Sequence, residues 1–282
     1  MKTIAAAAFA VLLSAAGLAL AQSAVVEAVQ YPAWLERNGA AVPVTPGTQL
    51  QPQDQLRTGG NARLQLRMGE GSTVKLGENA KFSIDKVDDR GVFRAALSVL
   101  TGAFRFTTDA LRKSGRREVS IRVKNVSVGI RGTDVWGKST DERDFVVLIE
   151  GKISVGSEGN PTLTLEKPLD LYQKPRDAAP SVAGISQQQL DELAKETELS
   201  SGGASARAGG DWRVTAAAFP SRDDALAMNR RVRSYGYPSE VAARDGAFLV
   251  QVGGLSDESS ARALMASLRS IPGIQMPVIQ PR

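Results

Sequence analysis

The sequence predicts two folded units of different class: an all-β N-terminal half and a C-terminal α+β unit of order β-α-β-β-α-β. Three observations carry that prediction. Short apolar–polar alternations broken by Gly and Asp run to about Pro175. A stretch rich in Pro, Ala, Ser and Gly follows. Beyond it, strand-like and helix-like periodicities succeed one another twice in the same order.

The first segment reads as a leader. Met1, Lys2 and Thr3 precede an apolar run that ends in Ala19-Leu20-Ala21 before Gln22. A positive start, an apolar stretch and a small-x-small end predict a signal peptide over residues 1–21. The competing reading is an uncleaved anchor, but Ile4 to Ala21 is close to the lower limit for spanning a bilayer and is rich in weakly partitioning Ala. No later segment is apolar for long enough to span. The mature product is therefore expected to be periplasmic, soluble or peripherally held, with no stable transmembrane segment after cleavage. A lipoprotein anchor needs a Cys after the cleavage site, and the chain has none.

Absence of Cys also removes disulfides and thiol nucleophiles, and absence of His removes the commonest general base and transition-metal ligand. No cofactor, no metal and no enzymatic activity are expected. A net charge of +5 suits an anionic partner. For an exported chain that partner is cell-wall polymer or anionic lipid, not nucleic acid; the alternative is a basic surface that merely aids solubility.

Residues 25–173 form the β half, with "ARLQLRM", "STVKLG", "AKFSID" and "VSIRVKNVSVGI" as successive strands. Residues 174–210 read as a flexible linker, because their flanks "KPRDAAPSVAG" and "SGGASARAGG" lack the apolar surface to fold. Within it Ser186 is a candidate N-cap ahead of Leu190, Leu193 and Ala194, so a short helix packed on either neighbour or frayed is expected. Residues 211–282 form the second unit. Its strands are "WRVTAAAF", "YPSEVAARD", "GAFLVQVGGL" and "IQMPVIQP". One helix is read from Ala225, Met228 and Val232 and closes on Gly236; the other is read from Ala261, Leu264 and Leu268. Ser221 and Ser256 are the expected caps. The order is that of a split βαβ, ferredoxin-like arrangement.

Alternation assigns the faces of this second sheet. Val214, Ala216, Ala218, Val250 and Val252 belong under the helices, which leaves Arg213, Thr215, Ala217, Leu249, Gln251 and Gly253 on the uncovered face. Small residues let a flat, hydroxyl-rich polymer approach, and the polar ones replace its water hydrogen bonds. A protein contact on that face is the competing use.

The β half also carries an ordered set of short motifs: Gly47 and Leu50; Asp54, Leu56, Thr58 and Gly59; Gly71 and Ser72; Gly102 and Phe104; Arg131, Gly132 and Thr133; Glu150, Gly151 and Ile153. In this it resembles the FecR domain, over about Leu35 to Val155. By physics these residues are mainly structural: glycines at chain reversals, and Thr58 and Thr133 able to bond turn amides. Arg131 is either a surface ligand contact or a strut paired with Asp134 or Glu150, and the strut is favoured. The resemblance implies periplasmic sensing or scaffolding. Anti-sigma members carry a cytoplasmic region and a transmembrane helix ahead of this domain, whereas only the leader precedes it here. Direct control of a sigma factor is therefore not expected, and the module's ligand stays unassigned.

The C-terminal half-repeats resemble the SPOR (sporulation-related) family through "VTAAAF", Ala225, Gly236, "FLVQVGGL" and Ala261. Thr215 and Ala217 stand where the family has Gln and Gly. The resemblance implies binding of peptidoglycan glycans stripped of stem peptides, at the septum in many members. The leading expectation is a non-enzymatic envelope protein held to denuded glycan strands by its SPOR module, whose FecR-like half engages a second protein or ligand. The alternative is a FecR-type periplasmic sensor. A glycan hydrolase would need a carboxylate pair such as Asp88 and Asp89, Asp141 and Glu142, or Asp223 and Asp224. Each pair falls in a turn or at a helix start, where solvated caps are the simpler explanation.

Overall fold

The computed structural model describes residues 23–88, 92–109 and 117–281, so the expected signal peptide lies outside the described residues. The N-terminal half is all β, as its alternation predicts. Its strands make two sheets joined by one fifteen-residue strand, Phe93–Thr107. The first half of that strand pairs with Lys81–Asp88 and, in parallel, with Arg117–Val123. Its second half pairs with Thr73–Leu76 and Asp134–Ser139 in the other sheet. The change of sheet falls at Gly102, which has φ +84°. A Cβ there would sit 2.6 Å from Ala80 Cα, so the bend requires glycine.

Alternate residues of these strands fill the space between the sheets. Leu56, Leu64, Leu66, Ile84, Leu97, Phe104 and Phe106 are fully buried together. A smaller cluster lies apart from this core. Trp136 and Val147 are fully buried there beside Leu190, and Phe145 stacks on Trp136 at 5.9 Å.

Leu190 belongs to the segment expected to be a flexible linker, and here the expectation is corrected. Residues 174–210 are ordered by partners far away in the sequence. Ser181–Gly184 adds a strand to Asp170–Pro175. Helix Gln187–Lys195 is closed by the predicted Ser186 cap, with a reciprocal bond from the Ser186 backbone N–H to Gln189 Oε1. Its Leu190 packs against the cluster around Trp136. Arg176 ion-pairs with the fully buried Asp144. Lys138 reaches Glu196 at 2.7 Å, and Lys75 reaches Glu198 at 2.6 Å. Buried Gln30 accepts hydrogen bonds from the backbone and hydroxyl of Ser200, both at 2.9 Å. Pro, Ser and Gly are frequent here, but polar groups of the β half hold the chain down.

The second unit has the predicted element order. Strands Val278–Pro281, Trp212–Phe219, Ala247–Leu255 and Glu240–Arg244 lie side by side in that order, all antiparallel. Helices Arg222–Ser234 and Glu258–Leu268 bury Ala225, Met228, Val232, Ala261, Leu264 and Leu268, the residues the periodicity selects. Ser221 caps the first helix as expected. The second is capped by Asp257, one residue beyond the expected Ser256, through its bond from Ser260 N at 2.7 Å.

The two units share a sheet. Strand Ser205–Arg207 pairs with Ala24–Gln30 of the β half, and Ala206 also pairs with Leu255. Beside it Trp34 Nε1 donates to the Ser234 carbonyl at 3.3 Å, and the Tyr31 and Tyr237 rings lie 6.3 Å apart. Gly236, the predicted helix terminator, has φ +86°, and a Cβ there would approach Trp34 to 2.7 Å. Its bare backbone thus ends the helix and admits the Trp34 ring.

Candidate functional site

The helix-free face of the C-terminal sheet is built by the register of its two central strands. Thr215 pairs with Gln251, but the next pair is Ala217 with Val250, so Ala216 is an extra residue in the first strand. Directly opposed residues of an antiparallel pair share a face, and one extra residue reverses the alternation beyond it. Ala217 therefore falls on the helix side with Val250 and packs against the core. Ala218, paired with Leu249, takes the open side and is exposed. This corrects the expected placement of both alanines.

The other candidates do share the open face, though not all as presented groups. Gln251 Nε2 donates to Thr215 Oγ1 at 2.9 Å, and the two residues are 4% and 8% exposed. They form a buried cross-strand strut, where side chains held out for a ligand were expected. Arg213 and Leu249 are half-buried, and Gly253 is exposed. A Cβ at Gly253 would meet Arg213 Cβ at 3.9 Å, so the two are neighbours. Flanking strands add residues that the sequence reading missed. Glu240 lies opposite Gln251, Val278 opposite Thr215, and Gln280 opposite Arg213. Glu240 could have been found, because the two-residue Asp245-Gly246 turn, with φ of +50° and +77°, fixes the hairpin register that sets it opposite Gln251; strand Val278–Pro281 has no such turn to its partner. The resulting surface is centred on Ala218, Leu249, Gly253 and Arg213, with Val278 51% exposed at its rim.

Among the described residues no group of His, Cys, Asp or Glu could hold a metal ion, and no helix is long and apolar enough to cross a membrane. Of the expected carboxylate pairs, Asp223 and Asp224 lie in the first turn of a helix, and Glu142 accepts from Thr140 Oγ1 at 2.8 Å in a turn. Asp89 lies outside the described residues.

Family models match two stretches of the chain: the FecR protein family over residues 54–154 and the SPOR domain over residues 208–276. The chain carries a FecR domain and, C-terminal to it, a SPOR domain. Two crystal structures of a proposed anti-sigma factor from Parabacteroides distasonis ATCC 8503 match the chain at 13% identity with TM-scores of 0.43 and 0.42. Each similarity covers 78% of this chain and 92% of the other. No curated protein matches the chain.

In the FecR domain the motif residues are structural. Asp54 is buried and accepts two bonds from Arg37, at 2.7 and 2.6 Å, and one from Gln51 N at 2.8 Å. The paired carboxylate raises the Arg37 guanidinium above its usual range. Thr58 Oγ1 accepts from Ala80 N at 2.8 Å and donates to the Gly77 carbonyl at 2.7 Å. Gly151 packs on the Arg-Gly-Thr turn, since a Cβ there would lie 2.5 Å from the Gly132 carbonyl oxygen. Arg131 is not the expected strut. It is exposed, and Asp134 instead pairs with Arg105 at 2.7 Å.

Proposed function

We propose that this protein is a non-enzymatic component of the periplasmic envelope that binds peptidoglycan glycan strands through the helix-free face of its SPOR domain. In this reading the strands are those denuded of stem peptides, including septal ones, and the FecR domain engages a second partner. The observation that carries the proposal is the SPOR match over residues 208–276 together with a sheet whose helices all lie on one side. The strand order supports a ferredoxin-like topology, which leaves such a face free. Ala218 and Gly253 let a flat polymer approach the strands, while Arg213, Glu240 and Gln280 offer polar contacts around them. The uncharged strut of Gln251 and Thr215 stiffens the centre. The leader sequence supports export to the periplasm.

The test is co-sedimentation with purified sacculi, comparing wall treated with an amidase against untreated wall. Removing stem peptides is expected to raise binding, and unchanged binding would overturn the glycan reading. Gly253→Arg, which fills the approach without touching the core, is expected to abolish the gain. Thr215→Val with Gln251→Leu removes the strut from both sides, which can be nearly neutral for stability. If the strut is only structural, this double variant keeps its wall binding. A FecR-type sensor is the alternative reading. The shared sheet through Ser205–Arg207 supports it, because an event at one domain meets no flexible tether before the other.

A further inference from the structure

The outer face of the second FecR sheet carries a groove of about 820 Å³ that the SPOR reading does not use. Its floor is one row of residues running across consecutive strands. Lys86 lies opposite Ala96, Ala96 opposite Ser120, Ser120 opposite Gly129, Gly129 opposite Ser154, and Ser154 opposite Thr164. All but Lys86 are small or short-hydroxyl side chains, so the floor is flat and can exchange hydrogen bonds. A side chain at Gly129 would strike Ser154 Oγ, so the glycine keeps the floor low. Charge lines the groove at the strand ends. Arg94 is paired with Glu118 at 2.9 Å, and Lys152 is paired with Glu166. Lys86 and Arg131 are both exposed and have no ion-pair partner among the described residues. Three strand spacings and two residues of strand rise separate them, about 16 Å.

From this arrangement we infer that the groove binds an anionic polysaccharide carrying carboxylates at intervals, its charges met by Arg131 and Lys86 and its hydroxyls by Ser120, Ser154 and Thr164. Two exposed cations without protein partners are free to meet an anion, and one Arg fork matches one carboxylate. A neutral glycan is disfavoured because it would cover Lys86 and Arg131 and offer neither an anion. An acidic peptide is disfavoured because peptides dock on sheets by adding to an edge and filling side-chain pockets, and this floor is the pocketless middle of a sheet. The inference deepens the second interaction proposed for the FecR domain and rests on that part of the reading. Arg131, which the sequence motif favoured as a strut, becomes a ligand contact.

The test is a titration of the full chain with hyaluronate, which has one carboxylate on every second sugar, beside neutral dextran and poly-glutamate. Hyaluronate is expected to bind, to weaken steeply with added salt, and to outbind both others. Arg131→Gln and Lys86→Gln are each expected to weaken it about tenfold, the scale of one charge-assisted hydrogen bond. Ser120→Glu, which sets an anion on the exposed floor, should weaken it at least as much. Gly253→Arg should leave hyaluronate binding unchanged. Equal binding of dextran would overturn the role of charge, and tighter binding of poly-glutamate would overturn the polysaccharide. Unchanged binding by the Arg131, Lys86 and Ser120 variants would overturn the site. Loss in Gly253→Arg instead would move the binding to the SPOR face, overturning the groove while sparing the wall-binding proposal.

Discussion

Residues 174–210 and the SPOR domain that follows them reach order by opposite routes. In the SPOR domain each helix buries residues at its own three- and four-residue steps, so local pattern and final structure agree. In residues 174–210 the only large side chain that is buried is Leu190, with Ile185 and Leu193 packed partly against its cluster and the small Ala204 and Ala206 reaching the main core. What holds that segment is a set of polar contacts to residues far earlier in the chain: Asp144 to Arg176, Gln30 to Ser200, Lys75 to Glu198. Low apolar content therefore predicts disorder only where no preformed surface offers partners.

That comparison can be broken by removing the distant partners one at a time. Arg176→Ala should have the largest effect, because it leaves the fully buried Asp144 carboxylate without its ion-pair partner. A loss of about 3 kcal/mol is expected in denaturant unfolding. A flexible linker would lose nothing. Leu190→Ala should cost about 2–3 kcal/mol by opening a cavity beside Trp136. Its effect should appear as faster proteolysis between residues 174 and 210. Ser186→Ala removes the helix cap and should cost about 1 kcal/mol, read by hydrogen exchange of the first helical turn. If all three are silent, the segment is tethered only at its ends.

What the sequence shows and what it hides divide along the same line. Strands, helices, the Ser186 and Ser221 caps and the Gly236 terminator are legible because each depends on residues within a turn or two of itself. The faces of the SPOR sheet were legible up to the bulge at Ala216, after which Ala217 and Ala218 exchanged sides. A bulge in a run such as Thr215-Ala216-Ala217-Ala218 has no compositional mark, since any of these small residues can be the extra one. The burial of Gln251 was likewise hidden, because its partner Thr215 is adjacent only after the strands pair. Arg131 stands in strand-like sequence that suggested a strut, and only the pairing of Asp134 with Arg105 shows that its expected partner is taken.

The smallest expected effect separates local from distant information at a single helix start. The sequence places the cap of helix Glu258–Leu268 at Ser256, and the structure places it at Asp257. Its carboxylate accepts from the Ser260 backbone and from Ser259 Oγ, bonds that with the nearby Arg207 charge hold its pKa below the usual carboxylate value. A folded-state pKa below the unfolded one contributes stability that is present above the unfolded value and is lost as the pH falls through the folded one. Asp257→Ala should therefore destabilise the protein at neutral pH by about 1 kcal/mol, with the gap to the parent narrowing in acid below pH ~4. Asp257→Asn keeps an accepting oxygen and should flatten that acid dependence. Ser256→Ala should leave stability unchanged at every pH, because Ser256 donates to the Ser205 carbonyl through its backbone N–H, at 2.9 Å, and that bond survives the substitution. A pH-independent loss in Ser256→Ala, with none in Asp257→Ala, would return the cap to the residue that sequence alone selects.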